Sequence, residues 1–378
     1  MWICFLYYSG PPIEVNIPGV PNLKEKEKEE AGMCYNMRPE ANFKGVKMDK
    51  NINKPTEIQN NSKKFSWTDL PEGYECLSPM AGVTDTAFRQ ICKRHGADVV
   101  FTEMASANMM LNAPTRNAAF LHYEEWERPI IGQIMGGDAK TMAEAARVIE
   151  DMGFDGVDVN MGCPEKKIVG NACGSSLLRD ADTAARIVEA MANAVNIPVS
   201  VKMRSGFYDS EIVQPQFAIR MQEAGAKALA IHPRTKEQAY RGSADWTVTR
   251  LIVENVQLPV GGSGDVTDRA AIERLRAETG VQGIWVARGA MGNPWIFERE
   301  RTERPPLADV IATALEHARL MVKYKGPHGM IEMRKHLTWY FSGFQGAAAL
   351  REQVKTVSTY EDLERLIEDH QLLERFAA

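Results

Sequence analysis

The chain has 378 residues, of which 44% are hydrophobic and 25% are charged, which is typical of a globular protein with a substantial core. The net charge of -5 does not indicate a nucleic-acid binder, although a local basic surface matters more than the total. The six cysteines form no CxxC pair, which excludes a zinc ribbon or a redox pair and predicts a reducing, cytoplasmic environment.

The first 65 residues are predicted to form a disordered, low-complexity extension. They contain Pro-rich pieces, a charge run at 24–30 and an Asn/Lys-rich stretch at 50–64, which together can bury little apolar surface. The apolar run at 1–8 is far shorter than the ~18 residues that a membrane span requires, and no basic region precedes it. We therefore predict no membrane segment and no secretion signal.

From Tyr74 onward, segments with strand character alternate with segments of helical periodicity. The eight strand-like runs are 74–77, 99–102, 130–134, 156–160, 199–203, 228–231, 258–261 and 283–286. Eight strands, each followed by a helix-length connection, predict a (β/α)8 TIM barrel over residues 66–304. An open, doubly wound sheet is the alternative, but no GxGxxG motif follows the first strand.

Helix boundaries are predicted from capping residues and apolar periodicity. Residues 139–152 place four apolar side chains on one face, with Asp138 as the N-cap, and Asp182 and Thr267 are expected to cap two later helices. After Pro305 and Pro306 only helical periodicity remains, which predicts a small helical domain over residues 305–378. Its apolar stripes are Ile311, Leu315, Ala318 and Val322, and Leu363, Leu366, Ile367 and Leu373.

The most informative stretch is 157–179, where a predicted strand runs into a loop of Gly, Pro and Lys and a helix resumes near Ser175. Cys163 follows the strand end, and Asn160 can reach the same space from the strand. In a barrel of this type, reacting groups project from the C-terminal ends of the strands. A cysteine in a core is more often inert, and Cys76, Cys92 and Cys173 are interpreted in that way.

Other candidate residues follow the remaining strands. Ser78 to Gly82 follow the first, Gln133 ends the third, Lys202 and Arg204 end the fifth, and His232 ends the sixth. A lysine at a strand end is usually a solvated surface charge, but the apolar neighbours of Lys202 favour the barrel mouth. The last two loops, 261–265 and 287–292, are rich in small residues and contain Arg288, which predicts a phosphate site.

These residue types suit one cofactor in particular. A phosphate site, Gln133 and Lys202 around a barrel mouth indicate flavin mononucleotide (FMN), because the ammonium can stabilise negative charge on the reduced ring. A thiol with its usual pKa of ~8.5 is mostly protonated at neutral pH, so Cys163 can serve as a general acid. Together they predict reduction of a polarised carbon–carbon double bond.

Five motifs resemble the tRNA-dihydrouridine synthases, most closely their bacterial B-type branch. They are PMAGVTD (79–85), NMGCP (160–164), VKMRSG (201–206), HPRT (232–235) and GNPWIF (292–297). The resemblance extends into the C-terminal region, where Arg334, Lys335 and His336 with Trp339 and Tyr340 look like a signature of the family's helical domain. The first 65 residues lie outside the resemblance.

The resemblance implies an FMN enzyme that reduces uridine in the D-loop of tRNA, with NADPH (or NADH) as reductant. The resemblance to the B-type branch implies that the modified base is uridine 17. Hydride would pass from flavin N5 to uracil C6, and Cys163 would protonate C5. The implied cofactor contacts are Pro79, Met80, Ala81, Gln133, Lys202, His232, Ser263, Gly264, Asp265, Ala287 and Arg288. The implied substrate contacts are Asn160, Arg204, Arg334 and Lys335. We expect a cytoplasmic monomer without a metal site.

The sequence departs from the family pattern at Ser263, where Asn is usual, and at Pro233, where Gly is usual. For tRNA phosphates, the candidate contacts are Arg319, Lys323, Lys325, Arg334, Lys335 and His336, while the acidic residues at 361–369 predict that the last helix faces away from RNA. Two alternatives stay open. One is a small-molecule FMN reductase for enones or pyrimidines, and the other is an RNA chaperone without chemistry.

Overall fold

The computed structural model describes residues 64–112, 120–344 and 347–369. All but the last two residues of the predicted extension, and Leu373 of the last apolar stripe, lie outside these ranges. None of the helices in the described ranges is long and apolar enough to cross a membrane.

Nine parallel strands form one sheet that closes on itself. The strands are β1 (Tyr74–Leu77), β2 (Val99–Phe101), β3 (Ala105–Ser106), β4 (Ile130–Met135), β5 (Gly156–Met161), β6 (Val199–Arg204), β7 (Ala228–His232), β8 (Val260–Gly262) and β9 (Gly283–Val286). Strand β1 pairs with both β2 and β9, and β2 pairs with β4, which closes an eight-stranded barrel. The two-residue β3 adds to the edge of β4. The closure confirms the (β/α)8 barrel and excludes the open sheet.

Helices follow the strands around the barrel and continue beyond it. They are α1 (Thr86–Arg94), α2 (Ala107–Asn112), α3 (Ala139–Asp151), α4 (Lys166–Gly170), α5 (Ala181–Ala194), α6 (Gln216–Glu223), α7 (Trp246–Asn255), α8 (Arg269–Thr279), α9 (Leu307–Lys325), α10 (His328–Tyr340), α11 (Ala347–Val354) and α12 (Tyr360–Asp369). Asp138 caps α3 as predicted, because its carboxylate accepts from the N–H of Thr141.

Two of the predicted caps were wrong. The cap of α5 is Asp180 rather than Asp182, and its carboxylate accepts from Thr183 N at 2.9 Å. The cap of α8 is Asp268 rather than Thr267, and it accepts from Ala271 N at 2.7 Å. In both helices the cap is the residue whose side chain reaches the backbone N–H three positions ahead and so pairs one of the free donors of the first turn.

Aromatic side chains fill the half of the barrel at the N-terminal ends of the strands. Trp67, from a short 3-10 helix ahead of β1, stacks on Trp285 with ring centroids 5.6 Å apart, and Tyr74 and Phe101 complete the cluster. Gly261 gives the room for this packing, because a Cβ there would lie 1.8 Å from the Trp285 ring. The filled interior leaves the C-terminal ends of the strands as the open mouth.

Helices α9 to α12 pack around a second hydrophobic cluster. Ile311 and Ala318 of the first predicted stripe, and Leu363 and Ile367 of the second, are buried there. The cluster reaches the barrel through Ala87 of α1 and Trp295. Helical periodicity therefore predicted the buried faces of α9 and α12.

Candidate active site at the barrel mouth

The strand register brings the predicted residues of the barrel mouth together. Asn160 of β5 lies beside Lys202 of β6, and Arg204 at the end of β6 lies beside His232 at the end of β7. Gln133 of β4 lies beside Asp158 of β5. Because the strands are parallel, all these side chains belong to one end of the barrel.

The loop that carries Cys163 is held by hydrogen bonds on both sides. The amide oxygen of Asn160 accepts from the backbone N–H groups of Gly162 at 3.1 Å and Cys163 at 2.9 Å. The carbonyl of Cys163 accepts from the backbone N–H of Ser175 at 3.1 Å and from its hydroxyl at 2.9 Å. After Cys163 the chain forms α4 and then a 3-10 helix, Gly174–Arg179. The sequence predicted a loop here, followed by a helix that begins near Ser175.

The Cys163 side chain is partly buried, and this burial raises the pKa of its thiol above the usual value. The thiol therefore keeps its proton at neutral pH, as a general acid must. Cys76 and Cys92 are fully buried, which agrees with the structural role predicted for them. Cys173 is only partly buried.

Beneath this loop, hydrogen bonds join the predicted residues Asn160 and Gln133 to Asp158 and Ser200, two buried polar residues that were not predicted. The amide oxygen of Gln133 accepts from Asn160 Nδ2 at 2.9 Å, and its Nε2 donates to Asp158 at 2.8 Å. The hydroxyl of Ser200 donates to the other Asp158 oxygen at 2.7 Å. Burial raises the pKa of Asp158 to about 6. The only sequence signal for this group is an acidic residue inside an apolar strand.

Lys202 and Arg204 project from the same strand and differ in what they contact. Lys202 keeps some solvent exposure at the mouth, yet the surrounding protein and the charge of Arg204 lower its pKa to about 8. Arg204 is buried and donates to three carbonyls, those of Gly162 at 2.8 Å, Thr235 at 2.9 Å and Ala239 at 2.8 Å. Arg204 thus ties the Cys163 loop to the loop after β7.

The imidazole of His232 is uncharged at neutral pH. Burial and the neighbouring cations Arg204 and Lys202 lower its pKa to about 2. Its Nε2 lies 3.3 Å from a guanidinium nitrogen of Arg234, a buried residue of the HPRT motif to which no role was assigned. Arg234 also donates to both oxygens of Asp265 at 2.8 Å, which orients that carboxylate.

The two predicted phosphate loops line one cavity of about 530 Å³. Its walls include Arg234, Tyr240, Gly242, Asp265, Thr267, Arg288, Gly289, Met291 and Asn293. Arg288 is exposed, lies 5.1 Å from the ring of Tyr240 and has Asp265 as its carboxylate neighbour at 3.8 Å. Because Arg234 donates to both oxygens of Asp265, two guanidinium groups face one carboxylate at this wall. A Cβ at Gly289 would lie 2.3 Å from a backbone oxygen, so only glycine fits this wall. A cationic, glycine-lined cavity fits the phosphate end of a flavin nucleotide.

Both departures from the family pattern are close in sequence to residues of this cavity, Pro233 next to Arg234 and Ser263 two positions before Asp265. Ser263 is buried, and its backbone N–H donates to Ile231 O at 2.9 Å. The carbonyl of Pro233 accepts from Asp245 N at 3.0 Å. Gly264, next to Ser263, has a positive φ of 92°, and a Cβ there would lie 2.9 Å from the ring of His232.

The loop after β1, which contains Pro79, Met80 and Ala81, is held by a barrel residue, Glu103, and by the C-terminal helices. The backbone N–H of Gly82 donates to the buried carboxylate of Glu103, and its carbonyl accepts from Lys335 of α10. Lys325 of α9 pairs with Asp85 at 2.7 Å and with Glu332 at 2.7 Å. Burial opposes the ionised form of Asp85, but Lys325 outweighs it and lowers the pKa of that carboxyl.

Part of the predicted phosphate-contact group was wrong. His336 is fully buried, with its ring centroid 4.5 Å from that of His317 and 5.3 Å from that of Phe88. Lys325 is held between two carboxylates, so its charge is already compensated. These residues failed as predictions because helical periodicity does not distinguish a solvated face from one that packs on a barrel.

The other members of that group stay near the surface. Arg334 donates to Val357 O at 2.6 Å and to the hydroxyl of Ser358 at 2.9 Å, and it is partly buried. Arg319 and Lys323 are exposed, and their carboxylate neighbours are Glu364 at 4.0 Å and Glu124 at 3.5 Å.

Comparison with known proteins gives one consistent result. The family model described as Dihydrouridine synthase (Dus) matches residues 76–376. A probable tRNA-dihydrouridine synthase 1 of Synechocystis is 36% identical over 300 residues, covering 77% of this chain and 84% of the relative. A probable tRNA-dihydrouridine synthase of Rhodobacter capsulatus is 37% identical over 288 residues, 74% of this chain and 88% of the relative. The tRNA-dihydrouridine synthase B of Pseudomonas aeruginosa is 36% identical over 286 residues, which cover 73% of this chain and 86% of the relative.

Proposed function

Because the chain belongs to the dihydrouridine synthase family, we propose that it reduces uridine in the D-loop of tRNA to 5,6-dihydrouridine with FMN and NADPH or NADH. The observation that carries the proposal is the position of Cys163. A partly buried, protonated thiol lies at the end of β5, beside the Lys202 strand and in the same barrel mouth as a cationic, glycine-lined cavity. This arrangement combines an acid with a site for a redox cofactor.

The residues that would hold FMN lie on two sides of the mouth. Arg288 would bind the phosphate end at the cavity, while Asp265, an anion held by Arg234, could contribute only its backbone N–H. The implied contacts Ser263, Gly264 and Ala287 are neighbours in sequence of these two residues. The other implied contacts are Pro79, Met80, Ala81, Gln133, Lys202 and His232. When bound, FMN would supply the hydride that adds to uracil C6.

The protein supplies the proton and the electrostatics. Cys163 gives its proton to uracil C5, so that one hydride and one proton saturate the double bond. Lys202 is charged below its pKa of about 8 and can stabilise negative charge on the reduced cofactor. His232 is neutral, so it can orient a ligand through a hydrogen bond without adding charge.

The target base must leave its stack to reach the mouth, which costs a few kcal/mol and is easiest in a loop. Asn160 and Arg204 are the implied substrate contacts at the mouth; Asn160 is partly buried, whereas Arg204 is buried and donates to three carbonyls, so its role would be to hold the loops around the base. The helices from residue 305 onward would orient the tRNA, with Arg334 near its backbone. The B-type resemblance points to uridine 17, and the proposal keeps the cytoplasmic monomer expected from the sequence.

The test uses unmodified tRNA incubated with the purified protein, FMN and NADPH, followed by mass spectrometry of nuclease fragments. One fragment should gain two hydrogens and thereby identify the modified uridine. Cys163→Ala should keep its flavin and lose about a hundredfold or more in turnover, because a general acid contributes about 10²–10⁴-fold. Cys173→Ala, which removes a nearby thiol of the same segment, is the matched control and should retain activity.

Each other outcome has a defined meaning. Unchanged turnover in Cys163→Ala would remove this residue from the mechanism. If flavin binds and is reduced by NADPH but no tRNA fragment changes mass, the small-molecule reductase becomes the better hypothesis.

A further inference from the structure

A continuous chain of side-chain hydrogen bonds runs from the buried carboxylate of Asp158 to the backbone of Cys163. Asp158 accepts from Gln133 Nε2 at 2.8 Å, and Gln133 Oε1 accepts from Asn160 Nδ2 at 2.9 Å. Asn160 Oδ1 then accepts from the backbone N–H of Cys163 at 2.9 Å. Asp158 and Gln133 are each 1% exposed, so solvent does not substitute for a missing partner.

The Cys163 end of this chain dictates one orientation for both amides. The backbone N–H groups of Gly162 and Cys163 can only donate, so Asn160 must turn its oxygen toward them. Its Nδ2 then faces Gln133, which must present its own oxygen. The Nε2 of Gln133 is left pointing at residue 158, where an acceptor is required.

The other end of the chain dictates the same orientation independently. An ionised carboxylate only accepts hydrogen bonds, so Asp158 holds the Nε2 of Gln133 and excludes its oxygen. The hydroxyl of Ser200 donates to the second oxygen of Asp158 at 2.7 Å and fixes the plane of the carboxylate. Both ends therefore require the same arrangement, and reversing either amide would place two donors or two acceptors face to face.

We propose that Asp158 is a positioning residue, which fixes the amide orientations of Gln133 and Asn160 and thereby holds Cys163 where it delivers its proton. Asp158 lies behind Gln133 and acts on the reaction only through it. Without an acceptor at 158, the Gln133 amide is free to rotate and present Nε2 to Asn160 Nδ2. Asn160 would then lose a partner, and the Cys163 loop would lose its support from β5. This inference rests on the proposed function for its activity readout.

Three substitutions test whether the hydrogen-bond acceptor of Asp158 or its negative charge is needed. Asp158→Leu keeps the branched shape and removes the acceptor. Asp158→Asn removes the charge but can still offer its oxygen to Gln133, with its amide N–H toward Ser200. Ser200→Ala is the matched control, because it removes a neighbouring bond of Asp158 and leaves the chain to Cys163 intact.

The first measurement needs neither flavin nor tRNA. The alkylation rate of Cys163 by iodoacetamide, followed by peptide mass spectrometry, reports how the loop holds the thiol. We expect Asp158→Leu to change this rate by about threefold or more, since thiol reactivity follows its local environment. Asp158→Asn and Ser200→Ala should stay near the original rate.

The second measurement separates the two halves of the reaction. Oxidation of the reduced, flavin-loaded protein by tRNA should slow by about 10- to 100-fold in Asp158→Leu, the cost of a misplaced reacting group. Flavin reduction by NADPH should change little, because it does not use the Cys163 proton. Gln133→Leu breaks the same hydrogen-bond chain at its next member and, if Asp158→Leu does not fold, serves in the alkylation experiment, which is run without flavin.

The proposal is overturned if Asp158→Leu matches the original protein in Cys163 alkylation and in oxidation by tRNA, or if Gln133→Leu in its place matches it in Cys163 alkylation. It is also overturned if Asp158→Asn is as defective as Asp158→Leu, because charge rather than an acceptor would then be needed. A protein that never reduces tRNA refutes the proposed function, while the alkylation experiment still decides this inference.

Discussion

Lys202 shares the barrel mouth with Arg204, and its own burial together with the charge of Arg204 lowers its pKa to about 8 in the flavin-free protein. The ammonium is therefore charged below pH 8 and loses its charge as the pH rises through that value. FMN affinity should fall by about three- to tenfold across this range, because an electrostatic contact in a low-dielectric site is lost. Flavin fluorescence titrations between pH 7 and 9.5 measure this directly.

The Lys202→Met variant provides the test of that assignment. Its FMN affinity should be low and independent of pH, since the titrating group is gone. Lys166→Met, which removes an exposed lysine from the segment after Cys163, should keep the pH dependence. A pH dependence that survives in Lys202→Met would assign the effect to another group.

Asp158 carries a second prediction at the residue scale, one of stability. Its pKa is raised from 3.8 to about 6 by burial, so ionising it in the folded protein costs up to about 3 kcal/mol. Because the folded pKa is the higher one, this cost is absent below pH 3.8 and is complete above pH 6. Asp158→Asn should therefore be more stable than the original protein at pH 7.5, by about 1–3 kcal/mol, and equal to it near pH 4.

Urea unfolding of both proteins at several pH values checks this prediction. Ser200→Ala should show no gain at pH 7.5, because it keeps the buried charge and removes one of its hydrogen bonds. A difference between Asp158→Asn and the original protein that does not change with pH would mean that ionisation of Asp158 is not its cause.

Sequence reasoning found the residues of the mouth that follow strand ends, such as Cys163, Asn160 and Lys202, because one rule of barrel topology places them. It missed Asp158, Ser200 and Arg234. Their roles come from partners on neighbouring strands, for example 25 and 42 positions away for Asp158, and a sequence pattern does not indicate such pairings.

At the scale of elements, the loop after β1 is held by two lysines of the C-terminal helices. Lys335 of α10 donates to the carbonyl of Gly82, and Lys325 of α9 pairs with Asp85 at the other end of the loop. Glu103 accepts from the N–H of Gly82 and completes the support. These contacts give Lys335 a role in shaping the implied cofactor loop, in addition to the tRNA contact expected from the sequence.

Lys335→Met should therefore weaken FMN binding, by about three- to tenfold for the loss of one charge-assisted hydrogen bond. Lys323→Met is the matched control, since Lys323 belongs to the same helical region but pairs with Glu124. Titrations with FMN and, separately, with tRNA distinguish the two roles. Unchanged FMN affinity with weakened tRNA binding would leave Lys335 as an RNA contact alone.

The differences between predicted and observed elements have local causes. Strand β8 begins at Val260 rather than at residue 258, because Pro259 has no N–H to donate to the ladder. The segment after Cys163 forms a 3-10 helix that begins at Gly174, whose φ of 61° suits glycine. Of the three predicted caps, Asp138 was correct, and the other two were displaced by one or two residues.

At the scale of the whole molecule, the closed barrel could be predicted from strand count and spacing, whereas the attachment of the C-terminal helices could not. His317 and His336 are fully buried against Phe88 of α1, so two histidines of the helical region form part of its contact with the barrel. Polar residue types and helical spacing alone indicate a solvated face there. The barrel and the C-terminal helices are consequently more interdependent than a catalytic domain with an attached RNA-binding domain would be.

The small-molecule reductase hypothesis requires a barrel that works without the residues after Leu307, and the structure predicts that such a barrel fails. Removing α9 to α12 would expose Trp295 and Phe88 and leave Asp85 without Lys325. A chain ending at Pro306 should bind FMN at least about tenfold more weakly or not remain folded, because a buried carboxylate loses its partner and apolar surface is exposed. A chain that ends at Asp369 keeps all four helices and controls for the effect of removing C-terminal residues. Circular dichroism, FMN titration and NADPH oxidation with an artificial acceptor compare the three proteins, and a truncated barrel that matches the full chain in all three would assign the helices to tRNA alone.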